Sequence, residues 1–227
     1  MAAALGWGAL AASSLVLGAA IGLLRRWPRR LVGLILGFGA GALISAVSFE
    51  LAEEGVKLAG ALPVAIGLGV GAITYFVAAG RVASMGGGAA LALGAFLDGI
   101  PEQMVLGIGL AAGEPVSAGL VAAIFVSNLP EAIGGATDMR REMHVPRQVA
   151  LNWLLIASLC ALATVVGYAA GDLSSGELRA GINGFAAGAL LVMLVDSMIP
   201  EATEQSGRKT GLVTTLGFAV AAGLSLA

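Results

Sequence analysis

Two stretches of the chain share a pattern in which proline precedes glutamate: Phe96-Leu-Asp-Gly-Ile-Pro-Glu102 and Phe125-Val-Ser-Asn-Leu-Pro-Glu131. Both read F-[LV]-x-x-[IL]-P-E, in surroundings so apolar that each acid is costly. Asp98 and Glu102 are four residues apart and share one face of a helix. Proline has no N–H to donate, so Pro101 leaves the carbonyl of Leu97 unserved and Pro130 that of Val126. The expectation is a kink one turn before each glutamate, with a freed carbonyl oxygen beside it. With the Asn128 amide and the Ser127 hydroxyl, an oxygen-rich set results: Asp98, Glu102, Ser127, Asn128 and Glu131. Such donors suit divalent cations, the harder ones especially. The plainer alternative is that the prolines only shape packing and the acids are protonated. Three acids on two matching motifs weigh against it.

The elements that must hold these residues are membrane helices. Apolar residues make up 58% of the 227 and charged ones 11%, about half the charged share of a soluble domain. Five runs contain no charged residue or histidine: Leu5–Leu24, Leu31–Phe49, Leu58–Gly80, Val149–Gly171 and Thr210–Ala227. Each is about long enough to cross ~30 Å of hydrocarbon at 1.5 Å per residue. Three more apolar stretches carry acids: Ala89–Ala112, Val116–Thr137 and Ala180–Pro200. The reading is a single polytopic transmembrane domain over residues 1–227, all-α, with eight transmembrane helices. The runs are unbroken rather than alternating, which argues against strands. In the 35 glycines we read close packing of helix on helix.

Depth follows from these boundaries. Asp98 and Glu102 stand roughly 14 and 20 Å from one edge of the bilayer, and Glu131 roughly 22 Å from the other. An unpaired carboxylate there costs at least ~2.5–3.5 kcal/mol. No Lys, Arg or His lies in these spans to offset it, so protons or a bound cation must.

Ten of the twelve basic residues fall in alternate connections: Arg25, Arg26, Arg29, Arg30, Arg81, Arg140, Arg141, Arg147, Arg208 and Lys209. Lys57 and Arg179 are the exceptions. The positive-inside rule makes the ten cytoplasmic and both termini external, in the cell (plasma) membrane. No removable signal peptide is expected, because the positive cluster follows the first apolar run. The tryptophans Trp7, Trp27 and Trp153 are expected at the interfaces. The net charge of −2 points to no nucleic-acid partner. The partners expected are a divalent ion and the lipid bilayer, and a homodimer is compatible with both. No cofactor is expected. One cysteine excludes an intrachain disulfide.

A second internal match pairs Gly37-Phe-Gly-Ala-Gly-Ala-Leu43 with Gly184-Phe-Ala-Ala-Gly-Ala-Leu190. The two helices carrying it run oppositely, as do the two P-E helices. Inverted repeats with broken helices in corresponding places point to a transporter's site near the midplane.

The P-E motifs on helices four and five, the eight helices and the outward termini resemble the ZIP (Zrt/Irt-like) divalent-metal transporters over nearly the whole chain. Helix four of that family reads H-N-x-P-E-G, and helix five carries x-N-x-P-E. Asp98 stands where the family has its ligand histidine, and Gly99 where it has asparagine. Glu102 and Glu131 match the two glutamates that bridge the family's binuclear centre. Asn128 matches the asparagine of helix five, and Ser127 the ligand position before it. The resemblance implies an inverted repeat of helices 1–3 and 6–8 around helices 4–5. It also implies import of a divalent metal, as substrate, by an elevator-like movement of a transport bundle.

The chain departs from the family elsewhere. Glu50-Leu-Ala-Glu-Glu54 resembles H-L-L-P-E without its histidine or proline, and Asp196-Ser-Met-Ile-Pro-Glu201 resembles D-E-L-I-P-E with Ser197 replacing an acid. Helix six has no acid, and Cys160 near that position is either a ligand or an inert core residue. His144, the one histidine, falls in a basic loop. A centre without imidazole is less suited to zinc specifically. Glu50, Glu53 and Glu54 are a cation funnel or a solvated helix end, and Asp196 an exit-path residue or a snorkelling acid.

The function expected is a carrier of zinc, manganese or ferrous iron towards the cytoplasm. A cation channel or a proton-coupled carrier of another substrate is the alternative, and a scaffold or transport-dead relative the third. An intramembrane enzyme is disfavoured, since a serine nucleophile needs a deep histidine base and only one aspartate is deep.

Overall fold

The chain folds into helical rods that follow its apolar stretches. The computed structural model describes residues 1–25, 27–82, 87–111, 113, 118–142, 145–171 and 175–225. Among these the rods are α1 (Ala2–Leu24), α2 (Arg29–Ala59), α3 (Ala61–Val82) and α4 (Gly87–Ala111). They continue with α5 (Ala118–Arg141), α6 (Pro146–Ala169), α7 (Gly176–Ser206) and α8 (Lys209–Ser225). No strand occurs among the described residues. Large apolar side chains face outward, for example Leu62, Ile66 and Phe76 on α3, Leu151 and Leu155 on α6, and Leu212 on α8. Such a surface needs lipid around it. Six rods (α1, α2, α3, α4, α6 and α7) are long and apolar enough to cross a bilayer. The protein is an all-α, multi-pass membrane protein. Of the remaining two, α5 carries Asn128, Glu131, Asp138, Arg140 and Arg141, and α8 has only 17 residues.

The halves of the chain repeat. A shift of 147 positions carries Arg29 to Gly176, Gly37 to Gly184 and Ala59 to Ser206, so α2 and α7 correspond end to end at 31 residues each. Both stop in the same way. Gly60 (φ 83°) and its counterpart Gly207 (φ 65°) adopt the left-handed conformation that favours glycine. Each donates its N–H to the carbonyl four residues back, Val56 and Thr203, at 2.8 Å. Both rods also widen into a π-helical turn, at Ala46–Glu53 and Leu194–Met198. Under the shift the shorter turn falls inside the longer. π-turns re-aim the side chains around them and recur at functional sites.

Packing obeys the same exchange. α2 lies on α8 as α7 lies on α3, α1 on α5 as α6 on α4, and α2 on α5 as α7 on α4. Glycines set the distance of approach. A Cβ on Gly41 would overlap the carbonyl oxygen of Thr214, and one on its counterpart Gly188 that of Leu68. Gly217 meets the carbonyl of Phe38 as Gly71 meets that of Phe185. The sequence match around Gly37 and Gly184 is thus the imprint of two equivalent backbone contacts.

Two expectations are corrected, on Trp153 and on the ends of α2 and α7. Trp153 is not an interfacial anchor: it is fully buried, packed on Gly135 in a core shared by α1, α4, α5 and α6. Pro101 and Pro130 both lie inside continuous helices, and the irregular turns are in α2 and α7. Those two rods also outrun their apolar stretches, to Ala59 and Ser206, because charged residues end a hydrophobic run without ending a helix.

Basic side chains fasten one end of the bundle. Arg140 Nη1 donates to the carbonyl of Leu23, and Arg141 Nη2 to that of Trp27 at 2.9 Å. The last carbonyls of a helix lack intrahelical donors, so Arg140 closes the end of α1 and Arg141 ties down the connection that follows it. The Trp27 indole donates to Ile21 O at 2.8 Å, and the Arg25 guanidinium stacks 4.1 Å from the ring centre.

Candidate cation site

Glu131 lies at the middle of α5 with no exposed surface, and Asn128 on the same face is 2% exposed. The two are three residues apart, neighbours on one helical face. The carboxylate fits because the facing position on α4 is glycine. A Cβ on Gly94 would stand 2.8 Å from Glu131 Oε1, with Met193 of α7 equally close. Asn128 Oδ1 is buried and has no hydrogen-bond partner among the described residues. An orphaned buried acceptor costs roughly 1–3 kcal/mol unless something occupies it. Beside a buried carboxylate, a cation is the group that this donor chemistry suits.

Glu102 is half-buried on α4, eight residues and roughly 12 Å of helix beyond Gly94. The Glu131 carboxylate therefore stands at a level of α4 two turns away from Glu102. Next to Glu102, Gln103 faces the other way. It is 1% exposed, receives the Thr164 hydroxyl of α6 and donates to Gly8 O of α1 at 3.4 Å. This leaves Glu102 about 100° round the helix from the α1–α6 contact. The side chains of Asp98 and Ser127 lie outside the described residues, as does His144. Among the described residues no three of His, Cys, Asp and Glu converge as a ready metal cluster. Cys160 is buried with its Sγ 2.6 Å from where a Gly99 Cβ would be, so it packs against α4 one turn before Glu102.

Towards the arginine-bearing end lies a cavity of about 890 Å³ between α3, α5 and α7, lined by Phe76, Asp138, Asp196, Ser197 and Glu201 among others. Its carboxylates outnumber its two arginines, so it attracts cations. Arg141 Nη1 spans it, 2.7 Å from Asp138 Oδ1 and 3.5 Å from Gln205 Oε1, and Gln205 in turn donates to Glu201 at 3.1 Å. Asp196 sits in the π-turn of α7, exposed to this cavity and ten residues before the end of the rod.

Sequence reasoning misses Gly94, Tyr75 and Asp138. Gly94 looks like any small residue until Glu131 is placed against it. Tyr75 looks like ordinary core. Asp138 follows Glu131 by seven residues on one helical face, and that spacing is the signal that could have found it.

Substituting Gly94→Ala is expected to push the Glu131 carboxylate out of its recess. A melting temperature lowered by several degrees is the expected result, since overpacking costs roughly 1–3 kcal/mol. A native melt would mean that the recess has room for a methyl group. No protein-family model matches the chain, and no curated protein matches it.

Proposed function

We propose that this protein is a ZIP-like carrier moving a divalent metal ion (zinc, manganese or ferrous iron) towards the cytoplasm. The observation that carries the reading is the buried Asn128 oxygen, without a hydrogen-bond partner among the described residues and three residues from buried Glu131. The eight rods all cross the membrane, α5 because its polar face is covered by α1, α2 and α4. The arginine-bearing end is cytoplasmic and the termini are external. An ion enters from outside near Glu102, is held by Glu131 and Asn128 with Asp98 and Ser127 as supporting ligands, and leaves through the acidic cavity. Asp98 in place of imidazole makes the site harder and shifts preference from zinc towards manganese or ferrous iron.

Purified protein in liposomes tests this. Uptake of Mn²⁺, Fe²⁺ or Zn²⁺ that saturates with concentration supports a carrier, and absence of flux for all three sinks the proposal. Single cysteines in a Cys160→Ala background test the orientation. Positions 81 and 209 should label only from the cytoplasmic side and position 57 only from outside.

A further inference from the structure

Tyr75 of α3 is completely buried, yet its hydroxyl is 3.5 Å from Ser197 Oγ in the π-turn of α7. Its neighbours Phe76, Val77 and Ala79 line the acidic cavity, as do Asp196 and Ser197, while Tyr75 itself does not. On its other side the ring belongs to the packed cluster that contains Met193 and Leu91. Met193 is the residue that shares the Gly94 recess with Glu131. Tyr75 also lies within electrostatic reach of both Glu131 and Asp196. One aromatic side chain thus links the cluster around the Glu131 recess to a residue of the cavity wall. A residue needed only to fill the core would pack better as phenylalanine, since a buried hydroxyl must find a partner. Here the partner is a serine at the cavity wall, on the turn whose irregular geometry presents it.

We propose that Tyr75 is the inner partition of the ion path. Its ring closes the Glu131 recess from the cavity, and its hydroxyl with Ser197 forms the oxygen relay by which a cation passes between them. This rests on the carrier reading for the identity of the cargo, but the partition itself is a property of the fold. Two neutral oxygens suit a transfer point, because they hold a divalent ion less tightly than carboxylates and so do not trap it. Ser197, an uncharged hydroxyl, keeps that point weak.

The test uses the full chain with Cys160→Ala and Met193→Cys, in vesicles that present the cavity to a small charged, membrane-impermeant thiol reagent. With Tyr75 intact, the cysteine should react slowly. Tyr75→Ala should raise the rate tenfold or more, whereas Tyr75→Phe, which keeps the ring, should leave it low. Glu204→Cys at the cavity mouth should react fast in every background and reports that the reagent reaches the cavity, while size-exclusion elution and the melting temperature report that the fold is intact. If Tyr75→Ala is poorly folded by that criterion, Tyr75→Leu takes its place. A Met193→Cys rate that is the same with tyrosine and with the small residue would overturn the partition. For the relay, Tyr75→Phe in the otherwise native chain should slow metal uptake several-fold, and unchanged uptake would remove the hydroxyl from the path. If Tyr75 controls thiol access while the native chain moves no metal, the partition stands and the carrier reading falls.

Discussion

Replacing Glu131 by glutamine is expected to reduce metal uptake by at least tenfold while leaving the protein folded. The substitution preserves side-chain volume in the recess at Gly94, so packing against Met193 is retained. What disappears is the attraction between a fully buried carboxylate and a divalent ion. At 4 Å and an effective dielectric of 20, that attraction is about 4 kcal/mol per unit charge, and every 1.36 kcal/mol is a factor of ten in rate. Losing a buried charge also removes its insertion cost, so impaired folding is not the expected route to failure. Glu102→Gln should impair uptake as well. Exposed Glu177 provides the control, with Glu177→Gln expected at the native rate. Undiminished uptake in a Glu102→Gln, Glu131→Gln double variant would remove both glutamates from the mechanism.

The other large effect belongs to the scaffold. Gly41→Leu and Gly188→Leu should each abolish monodisperse protein on size exclusion. In both places the new Cβ alone falls within the radius of a carbonyl oxygen on the facing helix. Overpacking by a few methylenes costs roughly 1–3 kcal/mol where side chains can shift, and a backbone carbonyl cannot shift without moving its helix. The two defects should be alike in severity, because the positions correspond under the repeat. Gly69, with nothing within 4 Å of where a Cβ would stand, should accept leucine. Native behaviour of either Gly41→Leu or Gly188→Leu would contradict the close approach of the rods.

Hydrophobic run length was enough to locate the helices, since in a bilayer the backbone must satisfy itself within each segment. It could not locate where α2 and α7 end. Those ends are set by Gly60 and Gly207, beyond the points where Phe49 and Pro200 close the apolar stretches. The P-E motifs made Glu131 and Asn128 legible, because a proline and an acid are conspicuous against so much alanine and glycine. Gly94 was hidden by that same background, and its part depends on a residue far along the chain. Trp153 is misread from sequence because an aromatic ring near a helix end fits an interface or a core equally well, and only the glycine opposite it, Gly135, makes room for the second. Of the acidic cavity only Asp196 is marked in the sequence, as an exit-path candidate. Its walls come from separate rods, and the π-turn that turns Asp196 and Ser197 towards it has no sequence rule behind it.

The arginine clasp on α1 has a consequence for how the chain is made. The carbonyl of Leu23 waits for a donor that lies 117 residues later. At a synthesis rate of 5–20 residues per second, that is a delay of roughly 6–23 s. During it the carbonyl of Leu23 is left without its arginine, although the Trp27 indole, made only four residues later, can already serve Ile21. The seat of α1 against α5 is therefore fixed only once that later helix has been made.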